Sequence, residues 1–545
     1  MIEELNNARS LLKSALDRYL TACLCIRKNC LENASFANVS PGLLPHIESE
    51  EHFVTEFETK LQRAKAAIRT SRNCSTLLVP IHKLPSEILE RIFLLLATPQ
   101  PGPDRSSPEV LSHVCSRWRK TVLGYPLLWS FIDSPFTIWA NTSHPTRFAS
   151  LVSRAYPLPL NVRLGPDKHA LITAEYGKIP INVNTPINSL EVAYTTDRDF
   201  LKCYQRSVLA ACFARCKPGT LKSLTMFHRD TTSIFLDVAP DWPRYLDREK
   251  ILTAGNLDQI LASLKILRVK GFYPAWTSKA YHGLVELRLA NKRRFTSEDR
   301  PPISENHLRG ILTASPALRI LELCVQIIEA LPQDTSIAPI RLSELESLNV
   351  VGILPDQANT FFRLLAPGSK PLQLAVNMSK GLIFLRELQD YKANAFFAHS
   401  NITALYARYL SNQTLPHLLD LCPHLKTLVW DRPIPAQAIN NPSSSSLRVL
   451  ETLVVSRKDG IKDAWFIDSI AKISLIQNLL FWECNSNSYK RIHVDDLEGM
   501  STFCSHIEIL DNNPTRDWDI FVDIPGMVGR LITHKYRIYP NFRNA

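Results

Sequence analysis

The sequence predicts a mixed fold, in which a helical N-terminal part is followed by a long array of alternating strands and helices. Three observations predict it: helical spacing of apolar residues before residue 130, a short leucine-rich pattern that recurs after residue 185, and the length. At 545 residues the chain exceeds the ~150 residues typical of one compact domain. Its composition, 45% hydrophobic and 21% charged, is that of a folded chain.

Two segments near the N-terminus carry apolar residues at every third or fourth position, which predicts two amphipathic helices. Several helix breakers between residues 31 and 47 turn the chain between them, so we expect a helical hairpin over residues 1–75. The short heptad runs leave two interpretations open, self-association as a short coiled coil or packing against the next domain. The apolar positions are Leu5, Ala8, Leu12, Leu16 and Tyr19, then Phe53, Phe57, Leu61, Ala64 and Ile68.

The next segment predicts a group of short helices. A proline and a glutamate open the first of them, as is common in the first turn of a helix. A second helix follows a proline-rich stretch, and Tyr125-Pro126 ends it. The motifs of this segment are Leu84-Pro85-x-Glu87-Ile88-Leu89-x-x-Ile92-Phe93, then Val114-Cys115-x-x-Trp118-Arg119, then Leu127-x-Trp129.

These three motifs together resemble an F-box, and the resemblance covers residues 80–132. It is similar to the F-box-like proteins that are abundant in fungi. The proline-rich insert after Ala97 departs from the compact form of the family. The resemblance implies that apolar helix faces bind the adaptor subunit of a cullin-based ubiquitin ligase. The residues that would do so are Leu84, Pro85, Ile88, Leu89, Ile92, Phe93, Val114 and Trp118.

The pattern L-x-x-L-x-apolar recurs through the C-terminal part of the chain and is typical of a strand with alternating inward side chains. Successive copies from Leu264 onward begin 20 to 34 residues apart, near the spacing of leucine-rich repeats. We therefore expect a leucine-rich repeat solenoid over residues 185–515, with a parallel sheet on its inner face and helices outside. A closed α/β domain is the alternative. Residues 133–184 are predicted as linker and cap, and residues 516–545 as a C-terminal cap or tail.

Charged residues recur at the fifth position of this pattern, which faces away from the core. Arg268, Arg288 and Glu322 occupy it in three successive strands. Neighbouring strands lie ~4.8 Å apart, so the two arginines repel each other unless an acidic group lies between them.

Two interpretations follow from this row of charges. In the first, Glu286 and Glu322 neutralise the arginines. In the second, the basic side chains bind an acidic or phosphorylated segment of a cargo protein. The cargo-binding residues of the second interpretation are Arg268, Lys270, Arg288, Tyr406, Arg408 and Trp482.

The sequence carries no motif that indicates catalysis or a cofactor. It has no Gly-rich phosphate loop, no H-E-x-x-H and no G-x-S-x-G, and its cysteines match no zinc spacing. With no signal peptide and no long apolar run, we expect a cytoplasmic or nuclear protein without membrane contact. The basic residues behind the +11 charge are scattered, which argues against nucleic acid as a partner. The F-box resemblance therefore implies a non-catalytic ligase adaptor, with a repeat-protein scaffold outside any ligase as the alternative.

Overall fold

The structure is a computed structural model and describes most of the chain in separate stretches. These are residues 2–32, 43–74, 80–97, 108–135, 145–165, 186–194, 212–213, 216–228, 234–236, 254–290, 300–377, 396–435 and 449–511, with short gaps at 333–334, 336, 355–356, 472, 474, 488–489, 493–496, 498–499 and 501–503. The predicted C-terminal cap over 516–545 lies outside the described residues. The chain divides into two compact units, Met1–Leu89 and Glu90–Ala545.

The N-terminal unit contains two long helices, α1 (Ile2–Glu32) and α2 (Leu43–Cys74), as the apolar spacing predicts. The acidic residues Glu3 and Glu4 lie in the first turn of α1, where they complement the positive end of the helix dipole. The Tyr19 hydroxyl donates a hydrogen bond of 2.7 Å to Glu50, which joins the two helices. A 3-10 turn over Pro80–Lys83 then leads into α3 (Ser86–Ala97), and the division between the units falls within α3.

Short helices open the second unit: α4 (Pro108–Ser112), α5 (Ser116–Gly124) and α6 (Pro126–Trp129). Cys115 is the N-cap of α5, because its sulfur accepts the backbone N–H of Trp118. The indole of Trp129 is 1% exposed and donates to the carbonyl of Val122 at 2.8 Å. The cysteine and both tryptophans of the motifs therefore have structural roles in this small bundle.

A parallel sheet of 14 strands follows, in which each strand pairs with the next one in the sequence. The strands are β1 (Phe131–Pro135), β2 (Leu160–Gly165), β3 (Ile187–Tyr194), β4 (Ser223–His228), β5 (Ile266–Lys270), β6 (Glu286–Ala290), β7 (Ile320–Leu323), β8 (Ser347–Asn349), β9 (Leu372–Asn377), β10 (Ile402–Arg408), β11 (Thr427–Asp431), β12 (Val449–Ser456), β13 (Leu475–Trp482) and β14 (Cys504–Leu510). This order is that of an α/β solenoid-like fold, because each repeat contacts its sequence neighbours.

The described helices alternate with these strands along the chain. They are α7 (Pro145–Ala155), α8 (Ala254–Leu261), α9 (Glu305–Thr313), α10 (Ala358–Phe362), α11 (Thr414–Leu421) and α12 (Ala464–Ala471). Three parallel two-stranded ribbons accompany the main sheet, and they pair 234–236 with 272–274, 302–304 with 326–328, and 340–342 with 365–367.

One row of leucines runs through the centre of the sheet. The fourth position of the repeat places one leucine opposite the next in nine successive strands, and each of these leucines is completely buried. The row comprises Leu267, Leu287, Leu321, Leu348, Leu374, Leu405, Leu428, Leu453 and Leu479. The leucine pattern therefore gives the core of the array, since each buried side chain of this size contributes roughly 1.5–3 kcal/mol.

The sheet begins earlier than the sequence predicts. Strands β1 and β2 and helix α7 lie within residues 131–165, most of which was expected to be linker and cap. Val162 and Leu164 are buried in β2 in the same alternation as the later strands. Separately, no described helix has both the length and the apolar character needed to span a membrane.

Candidate functional site

The eight residues predicted to bind a ligase adaptor differ widely in exposure. Ile88 and Val114 are 41% and 55% exposed, and Pro85 is exposed as well. Leu89 and Phe93, which were also predicted to contact the adaptor, are completely buried in the structure. The remaining three, Leu84, Ile92 and Trp118, are half-buried.

Helices α3 to α5 also expose apolar side chains that are not among the eight residues named from the F-box resemblance. Within the second unit, Leu95, Leu96 and Val110 are 62%, 44% and 59% exposed. The ring of Phe93 lies 4.8 Å from that of Trp118, so this aromatic pair joins α3 to α5. Large apolar side chains left in water on several short helices are typical of an interaction surface.

The second candidate region is the sheet face opposite the leucine row. Its central row contains the fifth repeat position of each strand, from β5 to β13. The first strands contribute Arg268, Arg288, Glu322 and Asn349, and the later ones Ala375, Tyr406, Val429, Val454 and Leu480. One half of the face is therefore charged and the other apolar.

Glu286 lies between the two arginines of the charged half. Arg268 donates two hydrogen bonds to its carboxylate at 2.6 and 2.8 Å, and Arg288 donates a further one. Although burial raises the pKa of Glu286, the hydrogen bonds and charges of both arginines outweigh it and lower the pKa. Arg268 and Arg288 do lie side by side as predicted, and an acidic residue neutralises them.

Arg288 also approaches Glu322 at 3.5 Å. Burial raises the pKa of Glu322 to about 7, against the opposing charge of Arg288. The Arg288 side chain is only 4% exposed, whereas that of Arg268 is 30% exposed. Arg268 is therefore the more exposed arginine of this pair.

A buried polar cluster surrounds Asp431 at the end of β11, among the apolar residues. The completely buried carboxylate accepts hydrogen bonds from the Tyr406 hydroxyl at 2.5 Å and from the Ser456 hydroxyl at 2.8 Å. Arg457 donates two more to it at 2.7 and 2.6 Å, and Arg408 lies 3.7 Å away. Tyr406 and Arg408, which were predicted to bind cargo, are both buried in this cluster, where the Tyr406 hydroxyl also accepts a hydrogen bond from Arg457 at 2.9 Å.

The sequence reasoning missed Asp431 and Arg457. The L-x-x-L-x-apolar pattern ends one residue before Asp431, and Arg457 lies one repeat further along. Asp431 is the last residue of β11 and Arg457 directly follows β12, so a polar residue just after the leucine pattern of neighbouring strands is the signal that could have found them. Trp482, the last predicted cargo residue, is half-buried, with the Arg457 guanidinium 5.9 Å from its ring.

Two grooves lie along the sheet. One, of about 770 Å³, runs along the amino ends of the middle strands, and its lining includes Glu286, Ser347 and Gln373. The Ser347 hydroxyl is buried and has no hydrogen-bond partner among the described residues. The other, of about 500 Å³, lies at the carboxyl ends of β10 to β13 and includes Tyr409 and Arg432. The lining of the second groove is mainly polar, whereas that of the first is mainly apolar.

The second groove begins where four strands end in the same unusual turn. The residue after each strand has a left-handed backbone, with φ between 49° and 57°, and none of the four is glycine. Their N–H groups extend the sheet, since Tyr409 donates to Asp431, Arg432 to Ser456 and Arg457 to Trp482 at 2.8–3.0 Å. The fourth residue is Glu483.

Comparisons with known proteins add little to this description. No protein-family model and no curated protein matches the chain. Among solved structures, a chain from the crystal structure of the Rad7 and Elc1 complex in yeast matches with 10% sequence identity, covering 87% of this chain and 94% of that chain. The TM-score is 0.33. A likeness of this size identifies neither a shared fold nor a shared function, so the chain is assigned to no family.

Proposed function

We propose that this protein is a substrate-recognition adaptor of a cullin-based, SCF-type ubiquitin ligase. The observation that carries the proposal is the F-box-like motif set together with the exposed apolar side chains of the short helices. Leu95, Val110 and Val114 are each more than half exposed to water. A surface of this kind is covered by a partner in an assembled complex, and the motifs resemble those that bind a ligase adaptor subunit.

The solenoid-like array is proposed to be a leucine-rich repeat domain that binds the cargo. The cargo remains proposed to be an acidic or phosphorylated protein segment. Arg268, Lys270 and Trp482 retain partial exposure on the face of the array, whereas Arg288, Tyr406 and Arg408 support that surface from below. The unpartnered Ser347 hydroxyl adds a donor and acceptor that a bound segment would satisfy.

The proposed role is not catalytic and requires no cofactor. Partner enzymes attached to the cullin scaffold would transfer ubiquitin, and the protein would bring the cargo to them in the cytoplasm or nucleus. In the described part of the chain, no three His, Cys, Asp or Glu side chains are grouped as metal ligands. In this proposal the array acts by binding alone.

Co-purification from native cells tests the proposal. The full-length chain should recover the ligase adaptor subunit and the cullin, and Val114→Asp should reduce that recovery at least tenfold by placing a charge in the apolar contact. Val449→Asp is the matched control, because Val449 is 56% exposed, against 55% for Val114, but lies on strand β12. Equal recovery with both variants would refute the docking assignment. Recovery of cargo without any ligase subunit would instead support the scaffold alternative.

A further inference from the structure

The helices α1 and α2 leave their apolar side chains in water. No residue of α1 is buried, and its leucines are 43–73% exposed. The large apolar residues of α2 are 41–61% exposed. Long helices obtain most of their stability from packing of an apolar face, so these two require a partner. The exposed side chains of α2 are Ile47, Phe53, Val54, Phe57, Leu61 and Ile68.

The apolar residues of α2 follow a heptad pattern. Val54, Phe57, Leu61, Ala64 and Ile68 are separated by three and four residues in alternation and so form one seam. Glu50 belongs to the same seam, and its hydrogen bond to Tyr19 turns that seam toward α1. Because the large apolar side chains of the seam remain over 40% exposed beside α1, pairing of these two helices alone does not bury it. A four-helix bundle buries such seams around a common axis.

The charges beside the seam indicate which helices complete the bundle. Glu51, Glu58, Lys65 and Arg72 follow one another at intervals of seven residues, directly next to seam positions. The first two are acidic and the last two basic. In an antiparallel pair, equivalent flanking positions face each other. Two copies of α2 in antiparallel orientation would therefore place the acidic half of each against the basic half of the other.

We propose that a second copy of this chain covers the hairpin, so that α1 and α2 of both copies form an antiparallel four-helix bundle. The axis of symmetry passes near Gln62, so that Glu51 lies near Arg72 of the other copy and Glu58 near Lys65. Leu61 of one copy then packs against Ala64 of the other, and Phe57 against Ile68. The contact is isologous, because the same surface serves in both subunits.

The available area is adequate for a stable dimer. Each helix of 31 or 32 residues is about 47 Å long at 1.5 Å per residue. With two helices of about 10 Å diameter side by side, each hairpin offers roughly 900 Å². The total, near 1,800 Å², falls within the range of specific interfaces, roughly 1,200–2,000 Å².

Charge-swapped full-length chains test the proposal. One variant carries Glu51→Lys with Glu58→Lys, and the other carries Lys65→Glu with Arg72→Glu. Light scattering of the wild type should give twice the chain mass of 61.8 kDa. Each variant alone should dimerise at least tenfold more weakly, because like charges then face each other. An equimolar mixture of the two should recover the wild-type dimer, because opposite charges meet again.

The matched control is Glu48→Lys with Glu56→Lys, which makes the same charge change on the same helix away from the seam. It should dimerise as the wild type does. Reducing buffer is needed, since Cys23, Cys25 and Cys30 are exposed, and circular dichroism should show unchanged helix content. A wild type that stays monomeric up to its solubility limit overturns the proposal. So does a mixture that fails to dimerise while both variants remain helical.

Discussion

Glu305 and Arg363 lie 58 residues apart in the sequence and form an ion pair whose side chains are 0% and 2% exposed. The arginine donates to both carboxylate oxygens, with contacts of 2.5 to 2.9 Å. Glu305 also accepts the backbone N–H of Leu331 at 2.7 Å. Since Glu305 opens α9 and Arg363 follows α10, the pair joins the repeat of β6 to that of β8, with the repeat of β7 between them in the sequence.

Removing one partner of this pair should strongly destabilise the array. Glu305→Ala leaves a buried guanidinium without its carboxylate, and we expect a loss of about 3–5 kcal/mol in the free energy of unfolding. Urea unfolding measures it. Glu344→Ala is the control, since that glutamate is 46% exposed and pairs with Lys370 at the surface, where a loss below about 1 kcal/mol is expected. Similar losses in both variants would contradict the structural role of the buried pair.

Glu322 should give the protein a specific dependence of stability on pH. Burial raises its pKa from 4.5 to about 7, so between these values the folded state holds a proton that the unfolded state has released. The free energy of unfolding therefore falls as the pH rises through this range. At about 1.4 kcal/mol per pH unit, the contribution changes by about 3 kcal/mol.

The isosteric variant Glu322→Gln isolates this effect. The free energy of unfolding of the wild type, taken relative to the variant, should fall between pH 5 and pH 7 and level off above. Glu286, whose lowered pKa has the opposite pH dependence, is present in both proteins and largely cancels. A difference that stays constant with pH would show that Glu322 is ionised throughout.

Replacing each of two glycines by alanine should change the stability of the protein in opposite directions. A Cβ atom at Gly352 would lie 2.5 Å from the Cα of Cys324, so Gly352→Ala forces the backbones apart and should cost about 1–3 kcal/mol. Gly310 lies within α9 with open space around it. Gly310→Ala should therefore stabilise the folded protein by about 0.5–1 kcal/mol, because alanine loses less conformational freedom than glycine when the helix forms. Thermal unfolding of both variants checks the two signs, and a stabilised Gly352→Ala would exclude the close approach.

Filling the groove at the amino ends of the strands should release cargo. Gln373 lines this groove and is half-buried, so Gln373→Trp would occupy the space with an indole. Thr452 is equally half-buried and lies in the same row of the sheet but outside the groove lining, which makes Thr452→Trp the control. A pull-down at moderate salt should lose cargo only with Gln373→Trp, while adaptor recovery stays unchanged. Full cargo recovery with Gln373→Trp would move the binding surface elsewhere.

The strands of the array could be predicted from the sequence because a leucine every three residues specifies both the strand and its buried face. Leu267 and Leu287, for example, are aligned as the repeat predicts. Strands β1 and β2 were missed because their apolar residues alternate without that leucine spacing, as in Leu160–Gly165. Short alternating segments resemble many exposed loops.

The polar residues were harder to predict than the core. The neutralisation of Arg268 by Glu286 was one of two open interpretations, because both residues lie in the repeat. The pairing of Glu305 with Arg363 could not be foreseen, since it depends on how the chain packs between strands. Burial of Tyr406 and Arg408 likewise depends on Asp431, which lies just outside the repeat pattern.

The left-handed turns at the ends of β10 to β13 fix the backbone through main-chain hydrogen bonds between neighbouring repeats. The side chains of Tyr409, Arg432 and Glu483 therefore lie in a row along the carboxyl edge of the sheet, and neighbouring strands space this row at ~4.8 Å. Substitutions at these three positions would change the chemistry of the edge, while the main-chain hydrogen bonds between neighbouring repeats would persist. Such an architecture separates the evolution of recognition from the evolution of the fold.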